Sequence, residues 1–164
     1  FDAVIVHPTS VVGSGDSTFS ARILRLALDP KMIAYLPGGA SFVNVTDVVG
    51  GIVDAAERGA PGEHYILGGE NLTYGQALAV IAERTDGRPP PVRIPPAAIH
   101  LVGHPVGLIN RLSDTRLFPV NSAMARLMTK ELFFDSSKAE QVLDYEYADL
   151  GCHIDAAVAW YRDQ

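Results

Sequence analysis

Two spacings of apolar residues alternate along the chain, and each predicts a different kind of element. Uninterrupted apolar runs at 3–6 and 65–67, followed by proline or glycine, are typical of strands buried on both faces of a parallel sheet. Two further short segments rich in apolar residues, 42–45 and 132–134, predict additional strands. Polar residues do not alternate within the first two runs, so a sheet with one face in water is not expected there.

Apolar positions three or four residues apart predict helices between and after these strands. The helical stretches are 18–28, 47–57, 73–84, 97–110, 121–128, 138–143 and 154–162. Thr73 and Gln76 have the spacing of a capping box, in which each side chain satisfies a free backbone N–H of the other residue. Asp47 and the pair Asp135–Ser136 stand where two other helices begin and are candidate caps. Because strands and helices alternate, we expect an α/β fold with a parallel sheet.

The first strand lacks a neighbour that this sequence could supply. Only 3–6 and 65–67 are expected to be strands buried on both faces, whereas sheets typically contain about 4–6 strands. The chain also begins at Phe1, without a methionine, almost directly inside the first strand. We therefore expect a fragment of a longer protein.

Composition excludes several classes of protein. The 164 residues include 13 basic and 19 acidic side chains, a net charge of −6, which argues against a nucleic-acid partner. No run of about 18 apolar residues is present, so no membrane span is expected. Cys152 is the single cysteine and cannot form an internal disulfide, which favours a cytoplasmic location.

The residues that suggest chemistry on their own are weak signals. Gly13-Ser14-Gly15 lies between a strand and a helix, but a dinucleotide fingerprint needs a third glycine where Thr18 stands. His100 and His104 have the spacing of metal ligands on a helix, although no third ligand is suggested nearby. The favoured interpretation of Gly13-Ser14-Gly15 is a turn, and that of the two histidines is a role in packing or at an interface. A small hydrolase or metal enzyme that uses these histidines or Cys152 stays an alternative.

Several connected segments are more specific, because of their order and spacing. They are Val4–Gly13 (VIVHPTSVVG), Phe42–Val48 (FVNVTDV), Gly62–Thr73 (GEHYILGGENLT), Phe133–Ala139 (FFDSSKA) and Trp160-Tyr161. Together they resemble the C-terminal half of the extended short-chain dehydrogenase/reductases, which include NAD-dependent epimerases and dehydratases. The motifs are most similar to the dihydroflavonol-reductase-like and hopanoid-associated sugar epimerase subgroup.

The resemblance implies a fold and a division of the chain. The fold would be the C-terminal portion of a Rossmann-type NAD(P)-binding domain with a small, mostly helical substrate-binding subdomain. Residues 1–30 and 47–87 would supply the last strands and helices of the Rossmann-like domain. Residues 31–46 and 88–164 would form the substrate-binding subdomain.

The resemblance also implies a set of binding residues. The nicotinamide end of NAD or NADP would be lined by Pro8, Thr9, Ser10 and Val11. The substrate cleft would be formed by Ser14, Thr18, Phe19, Arg22, Phe42 and Asn44. Asp47 is interpreted as a structural residue at the start of a helix, where its charge complements the helix dipole.

The catalytic chemistry of the family is carried by residues that this chain does not contain. A catalytic Tyr and Lys should stand four residues apart, but no lysine follows any of the six tyrosines at that spacing. The glycine-rich pyrophosphate loop is also absent. We therefore expect no catalytic residue here, no tight binding of NAD or NADP by the chain alone, and an N-terminal half as partner. Homodimers are common in the family, so a homodimer is a further expectation.

One departure from the family pattern bears on the substrate. Nucleotide-sugar epimerases carry an arginine where this chain has Ala40, and a histidine where it has Asn44. Without that arginine the diphosphate of a nucleotide sugar loses a clamp, which favours a less charged carbonyl or alcohol over a sugar substrate. Arg22, Arg111 and Arg116 are alternative sources of such a clamp. A non-catalytic binding module with this architecture is the competing hypothesis.

Overall fold

The structure is a computed structural model that describes residues 2–15, 29, 31–99, 127 and 129–162. Within these residues, eight strands and four helices follow one another along the chain. The elements are β1 (Ile5–Pro8), β2 (Ser10–Val12), β3 (Ala34–Tyr35), β4 (Gly39–Asn44), α1 (Val45–Arg58), β5 (His64–Leu67), β6 (Glu70–Thr73), α2 (Tyr74–Arg84), β7 (Val92–Arg93), β8 (Glu131–Leu132), α3 (Ser137–Leu143) and α4 (Leu150–Arg162).

The strands form three small sheets, and the parallel pairing predicted from the sequence is confirmed. β1 pairs in parallel with β5, and the short β3 pairs in parallel with β7. In the third sheet β4 pairs in parallel with β2 and β8, and antiparallel with β6. β4 is the centre of this sheet, and its first five residues are buried.

Two hydrophobic clusters lie on opposite faces of β4, because alternate residues of a strand point to opposite sides. Ala40 and Phe42 point into the first cluster, which is built with β6, α2 and α4. Val43 points into the second, which is built with α1, β5, α3 and Tyr145. α1 and α3 therefore cover the β1–β5 pair, while α2 and α4 cover the other side of β4.

The helix starts follow local hydrogen bonding, with two corrections to the sequence prediction. The capping box of Thr73 and Gln76 is confirmed. α1, however, begins at Val45, and its N-cap is Asn44, whose Oδ1 accepts from the backbone N–H of Thr46 at 2.8 Å. Asp47 lies in the first turn and accepts instead from the N–H of Ala148 at 3.1 Å. The side chain of Ser136 makes no cap bond to α3, whose first N–H is bound by Asp135.

The first strand is shifted and less buried than predicted. It runs over Ile5–Pro8 rather than 3–6, and the side chains of Ile5, His7 and Pro8 are exposed. Only one face, through Val4 and Val6, packs against the second cluster. On the open face, His7 Nε2 lies 2.8 Å from His64 Nδ1. The strand is exposed because its other face and its outer edge have no cover among the described residues.

Several short strands were not predicted, and several predicted helices cannot be compared. β2, β3, β6 and β7 contain polar residues or only two residues, and their pairing depends on distant partners. The predicted helix at 18–28 and most of those at 97–110 and 121–128 lie outside the described residues, although 97–99 are helical. In the described part of the chain, no helix is both long and apolar enough to cross a bilayer.

Candidate functional site

The candidate site lies where the chain passes from one sheet to another. Pro8 is the last residue of β1 and stands beside Leu67 of β5, whereas Ser10 begins β2 and stands beside Phe42 of β4. Thr9 is the one residue between the two strands, and its N–H donates to the Leu67 carbonyl at 3.3 Å. Ligands of α/β proteins bind at the carboxyl ends of parallel strands, where neighbouring strands diverge. Thr9 occupies such a point.

The four residues implied as cofactor ligands are adjacent here, in different environments. Pro8 is exposed, while Thr9, Ser10 and Val11 are partly buried. The hydroxyl oxygen of Thr9 is buried and has no hydrogen-bond partner within the described residues. Since buried polar atoms are nearly always paired, this hydroxyl can bind a polar ligand atom that reaches the end of β1.

The Gly68–Gly69 turn beside Thr9 is fixed by side chains from three distant segments. Gly68 N–H donates to Ser136 Oγ at 3.0 Å, and Gly68 O accepts from the Tyr145 hydroxyl at 2.9 Å. Ser41 Oγ accepts from Gly69 N–H at 3.2 Å and donates to Gly69 O at 3.4 Å. All four backbone polar atoms of the turn are therefore bonded to side chains.

Neither glycine of this turn can be replaced without a clash. A Cβ atom on Gly68 would lie 2.6 Å from Ser136 Oγ, and one on Gly69 would lie 2.1 Å from the Phe42 carbonyl oxygen. The sequence indicates a turn at the two glycines, but it does not identify Ser41, Ser136 or Tyr145 as their partners.

Tyr145 is a hydrogen-bond donor and not a proton-transfer group in this arrangement. Burial raises the pKa of its hydroxyl, and the negative charge of Asp47 raises that pKa further. The hydroxyl therefore stays protonated and continues to donate to Gly68 O across the physiological pH range.

The residues implied as substrate ligands are only partly described. Ser14 Oγ donates to the Ala156 carbonyl at 3.2 Å, which links the loop after β2 to α4. Phe42 is 3% exposed in the first cluster, and Asn44 caps α1. Thr18, Phe19 and Arg22 lie outside the described residues, and the contact of all these residues with a substrate stays a prediction. Ala40, the position of the missing arginine, is buried between β6 and β8.

The alternative site residues are not brought together within the described residues. There, no three His, Cys, Asp or Glu side chains are grouped in a way that could hold a metal ion. Cys152 is an exposed free thiol on α4. His100 and His104 lie outside the described residues.

Comparison with known proteins identifies relatives along the whole chain. No family model matches it. It is 31% identical to sterol demethylase protein B of Methylococcus capsulatus, over 99% of this chain and 51% of that protein. It is 29% identical to a putative dihydroflavonol 4-reductase of Synechocystis, over 99% of this chain and 49% of that protein.

The fold is shared with a solved relative. The crystal structure of PA4631, a nucleoside-diphosphate-sugar epimerase from Pseudomonas aeruginosa, superposes with a TM-score of 0.73 at 25% identity. The match covers 98% of this chain and 48% of that one. This chain thus spans about half the length of the relatives that it matches. Motif order, fold and these relatives together support a fragment of an extended short-chain dehydrogenase/reductase of the epimerase and dihydroflavonol-reductase-like group.

Proposed function

We propose that this chain is the substrate-side half of a cytoplasmic NAD(P)-dependent oxidoreductase or epimerase that acts on a carbonyl or alcohol. The observation that carries the proposal is the end of β1, where two sheets diverge at Thr9 and a buried hydroxyl lacks a partner among the described residues. Solved proteins with this fold hold NADPH or NAD, which supports the same class of cofactor here.

The residues at this point suit the nicotinamide end of such a cofactor. The cofactor, when bound, donates or accepts a hydride. The Thr9 hydroxyl would supply a hydrogen bond, and the exposed ring of Pro8 would offer an apolar surface without an N–H donor. Ser136 and Tyr145 would not contact the cofactor but would support its site, because they hold the glycine turn beside Thr9 in place.

A complementary half would supply what this chain lacks, namely the glycine-rich loop and the Tyr–Lys pair. The outer edge of β1 is where its sheet would continue. The N–H groups of Ile5 and Thr9 point toward the β5 side, where they donate to the carbonyls of Glu63 and Leu67 at 3.0 and 3.3 Å. Alternate residues of a strand bond to opposite edges, so the Val6 amide points to the outer edge. We infer that a parallel strand of the complementary half binds there.

The substrate would be weakly charged. Ala40 carries no cation at the position where nucleotide-sugar enzymes place an arginine, and its burial between two strands leaves no room for one. The names of the curated relatives refer to a sterol and to a dihydroflavonol, which are both ring systems without a diphosphate. A hydroxyl or carbonyl on an apolar ring system is therefore the proposed substrate class, with a sugar as the second candidate.

Co-expression with the N-terminal half of a related reductase tests the proposal. We expect a stable complex in which the Val6 amide exchanges with deuterium much more slowly than in the isolated chain, because it has gained a strand partner. The complex should bind NADPH, measured by the fluorescence of the dihydronicotinamide. A complex that leaves Val6 unprotected and binds no NADPH would overturn the proposal.

A pair of variants isolates the Thr9 hydroxyl in that complex. Thr9→Val removes the hydroxyl and keeps the shape, and we expect the Kd for NADPH to rise by about tenfold, as for one lost hydrogen bond. Thr9→Ser retains the hydroxyl and should bind NADPH nearly as well as the parent complex. Equal Kd values for the two variants would remove Thr9 from the cofactor site.

A non-catalytic binding module is the second candidate, favoured by the absence of a Tyr–Lys pair from these 164 residues. It makes a different prediction for the same experiment. The isolated chain would be a stable monomer with a protected Val6 amide, and no complementary half would bind to it. A homodimer of the assembled enzyme stays a prediction, measured by the mass of the complex in solution.

A further inference from the structure

An open groove lies beside α3 and reaches Gly69 and Ser136 of the glycine turn. Two adjoining cavities of about 440 and 400 Å³ share Glu140 and Tyr147 as lining residues. Together they are lined by three exposed aromatic residues and four carboxylates. We call this the acidic–aromatic groove and define it by Phe133, Phe134, Asp135, Glu140, Asp144, Glu146 and Tyr147.

The aromatic side of the groove is exposed but firmly held. Phe133, Phe134 and Tyr147 are 40%, 46% and 39% exposed. Asn71 pairs with the backbone of Phe134 through two bonds, donating to its carbonyl at 2.9 Å and accepting from its N–H at 3.2 Å. The backbone that carries the phenylalanine rings is therefore held in place by these two hydrogen bonds. Large apolar groups exposed side by side on an ordered segment are typical of interaction surfaces.

Among the described residues, one cation reaches the acidic side of the groove, and it lies at Asp144. Glu140 and Glu146 are exposed and form no ion pair within this part of the chain. Arg58 lies 3.6 Å from Asp144 and equally far from Asp54, while Lys138 binds Glu63 at 2.6 Å, so neither base pairs with Glu140 or Glu146.

Negative charge converges on the ring of Tyr147. Burial raises the pKa of its hydroxyl first, and the carboxylates of Glu140, Asp149 and Glu70 raise that pKa further. A positive group next to this ring would thus meet several carboxylates and an aromatic face, which attracts cations.

We propose that the acidic–aromatic groove binds an extended segment of a partner protein in which arginine or lysine alternates with apolar residues. Guanidinium groups stack on aromatic rings and pair with carboxylates, and apolar side chains would cover the phenylalanines. The groove is open to solvent over two adjoining cavities, which suits a peptide better than a small molecule, whose pockets enclose most of its surface. The groove shares Gly69, Ser136 and Tyr145 with the glycine turn but contains none of Pro8, Thr9, Ser10 and Val11, and its occupant is tested without a cofactor, so this inference can fail without the proposed function failing.

The test measures the binding of a defined peptide to the full 164-residue chain. The probe is fluorescein-labelled Arg-Leu-Arg-Leu-Arg amide, followed by fluorescence anisotropy. We expect saturable one-to-one binding that weakens as salt rises from about 25 to 150 mM. The double variant Glu140→Gln/Glu146→Gln should raise the Kd at least about tenfold, and Phe134→Ala about fivefold, as for residues central to an interface.

A matched variant separates the groove from net charge. Asp2→Asn/Glu83→Gln removes the same number of charges at exposed positions outside the groove and should leave the Kd within about twofold. Equal weakening by the two double variants would overturn the proposal. Equal binding of a Gln-Leu-Gln-Leu-Gln peptide would do the same. Displacement of the probe by agmatine at a similar concentration would show a small-cation site instead of a protein-binding one.

Discussion

At the scale of single residues, the most consequential contact is the one between Tyr145 and the glycine turn. Tyr145 is 2% exposed, and its hydroxyl donates to Gly68 O at 2.9 Å inside the protein. Tyr145→Phe leaves this carbonyl buried without its partner. We expect the free energy of unfolding in urea to fall by about 1–3 kcal/mol.

Tyr147 provides the matched control for that substitution. Its side chain is 39% exposed and lies next to Tyr145, with ring centroids 6.1 Å apart. Tyr147→Phe should change the free energy of unfolding by less than about 0.5 kcal/mol, as is usual for surface positions. Losses of equal size in the two variants would mean that the Gly68 bond contributes nothing specific.

At the scale of elements, the start of α2 depends on its capping box. Thr73 Oγ1 accepts from Gln76 N–H at 3.3 Å, and Gln76 Oε1 accepts from Thr73 N–H at 2.9 Å. Thr73→Ala removes one of these bonds and should lower the free energy of unfolding by about 1 kcal/mol. Thr73→Ser, which keeps the hydroxyl, should cost much less. A Ser variant as unstable as the Ala variant would point to lost packing instead.

The attachment of α3 to β5 has a pH dependence of predictable sign. The Lys138 ammonium lies 2.6 Å from Glu63 and lowers the pKa of that carboxyl below its ordinary value of 4.5. The unfolded chain therefore binds this proton more readily than the folded one. The stabilisation is present above pH 4.5 and is lost as the pH falls through the lowered pKa.

Variants of this pair test that sign. We expect Glu63→Gln to flatten the acid limb of stability against pH slightly, because both groups are about half exposed and the pair contributes little. Lys138→Met should flatten the same limb, since it removes the cause of the lowered pKa. A steeper acid limb in either variant would contradict the assignment.

The elements also show how far sequence reasoning extends. The capping box and the strand at 65–67 were predicted, because they depend on neighbouring residues and a local apolar run. β6 was not, because its residues become a strand only by pairing with β4. The candidate site, too, could be predicted only in part from the sequence. Thr9 was implied by resemblance, but its place between two sheets, and the side chains that bind the neighbouring Gly68, depend on contacts that no local pattern shows.

At the scale of the whole molecule, the uncovered side of the β1–β5 pair is the feature that makes the isolated chain prone to self-association. Ile5 is 41% exposed beside the outer edge of β1. Unpaired edges with apolar side chains promote association between copies. We expect the average mass of the isolated chain, measured by sedimentation, to rise with concentration.

Ile5→Lys should reduce this association, because a charge on an edge strand opposes pairing with a second copy. Ile33→Lys is a matched control, since Ile33 is 72% exposed but lies outside the β1–β5 pair. Equal reductions in both variants would mean that general surface polarity, and not the β1 edge, controls the association.

The long reach of the bonds at Gly68–Gly69 has a consequence for synthesis. Ser136 and Tyr145 follow Gly68 by 68 and 77 positions, so a ribosome releases both glycines well before their partners. In a nascent chain, the Gly68–Gly69 turn cannot form all of its side-chain hydrogen bonds until Tyr145 has emerged from the exit tunnel. Chains that terminate before Ser136 would leave the turn without two of its bonds, and chains that terminate between Ser136 and Tyr145 without one, so both would be open to proteases.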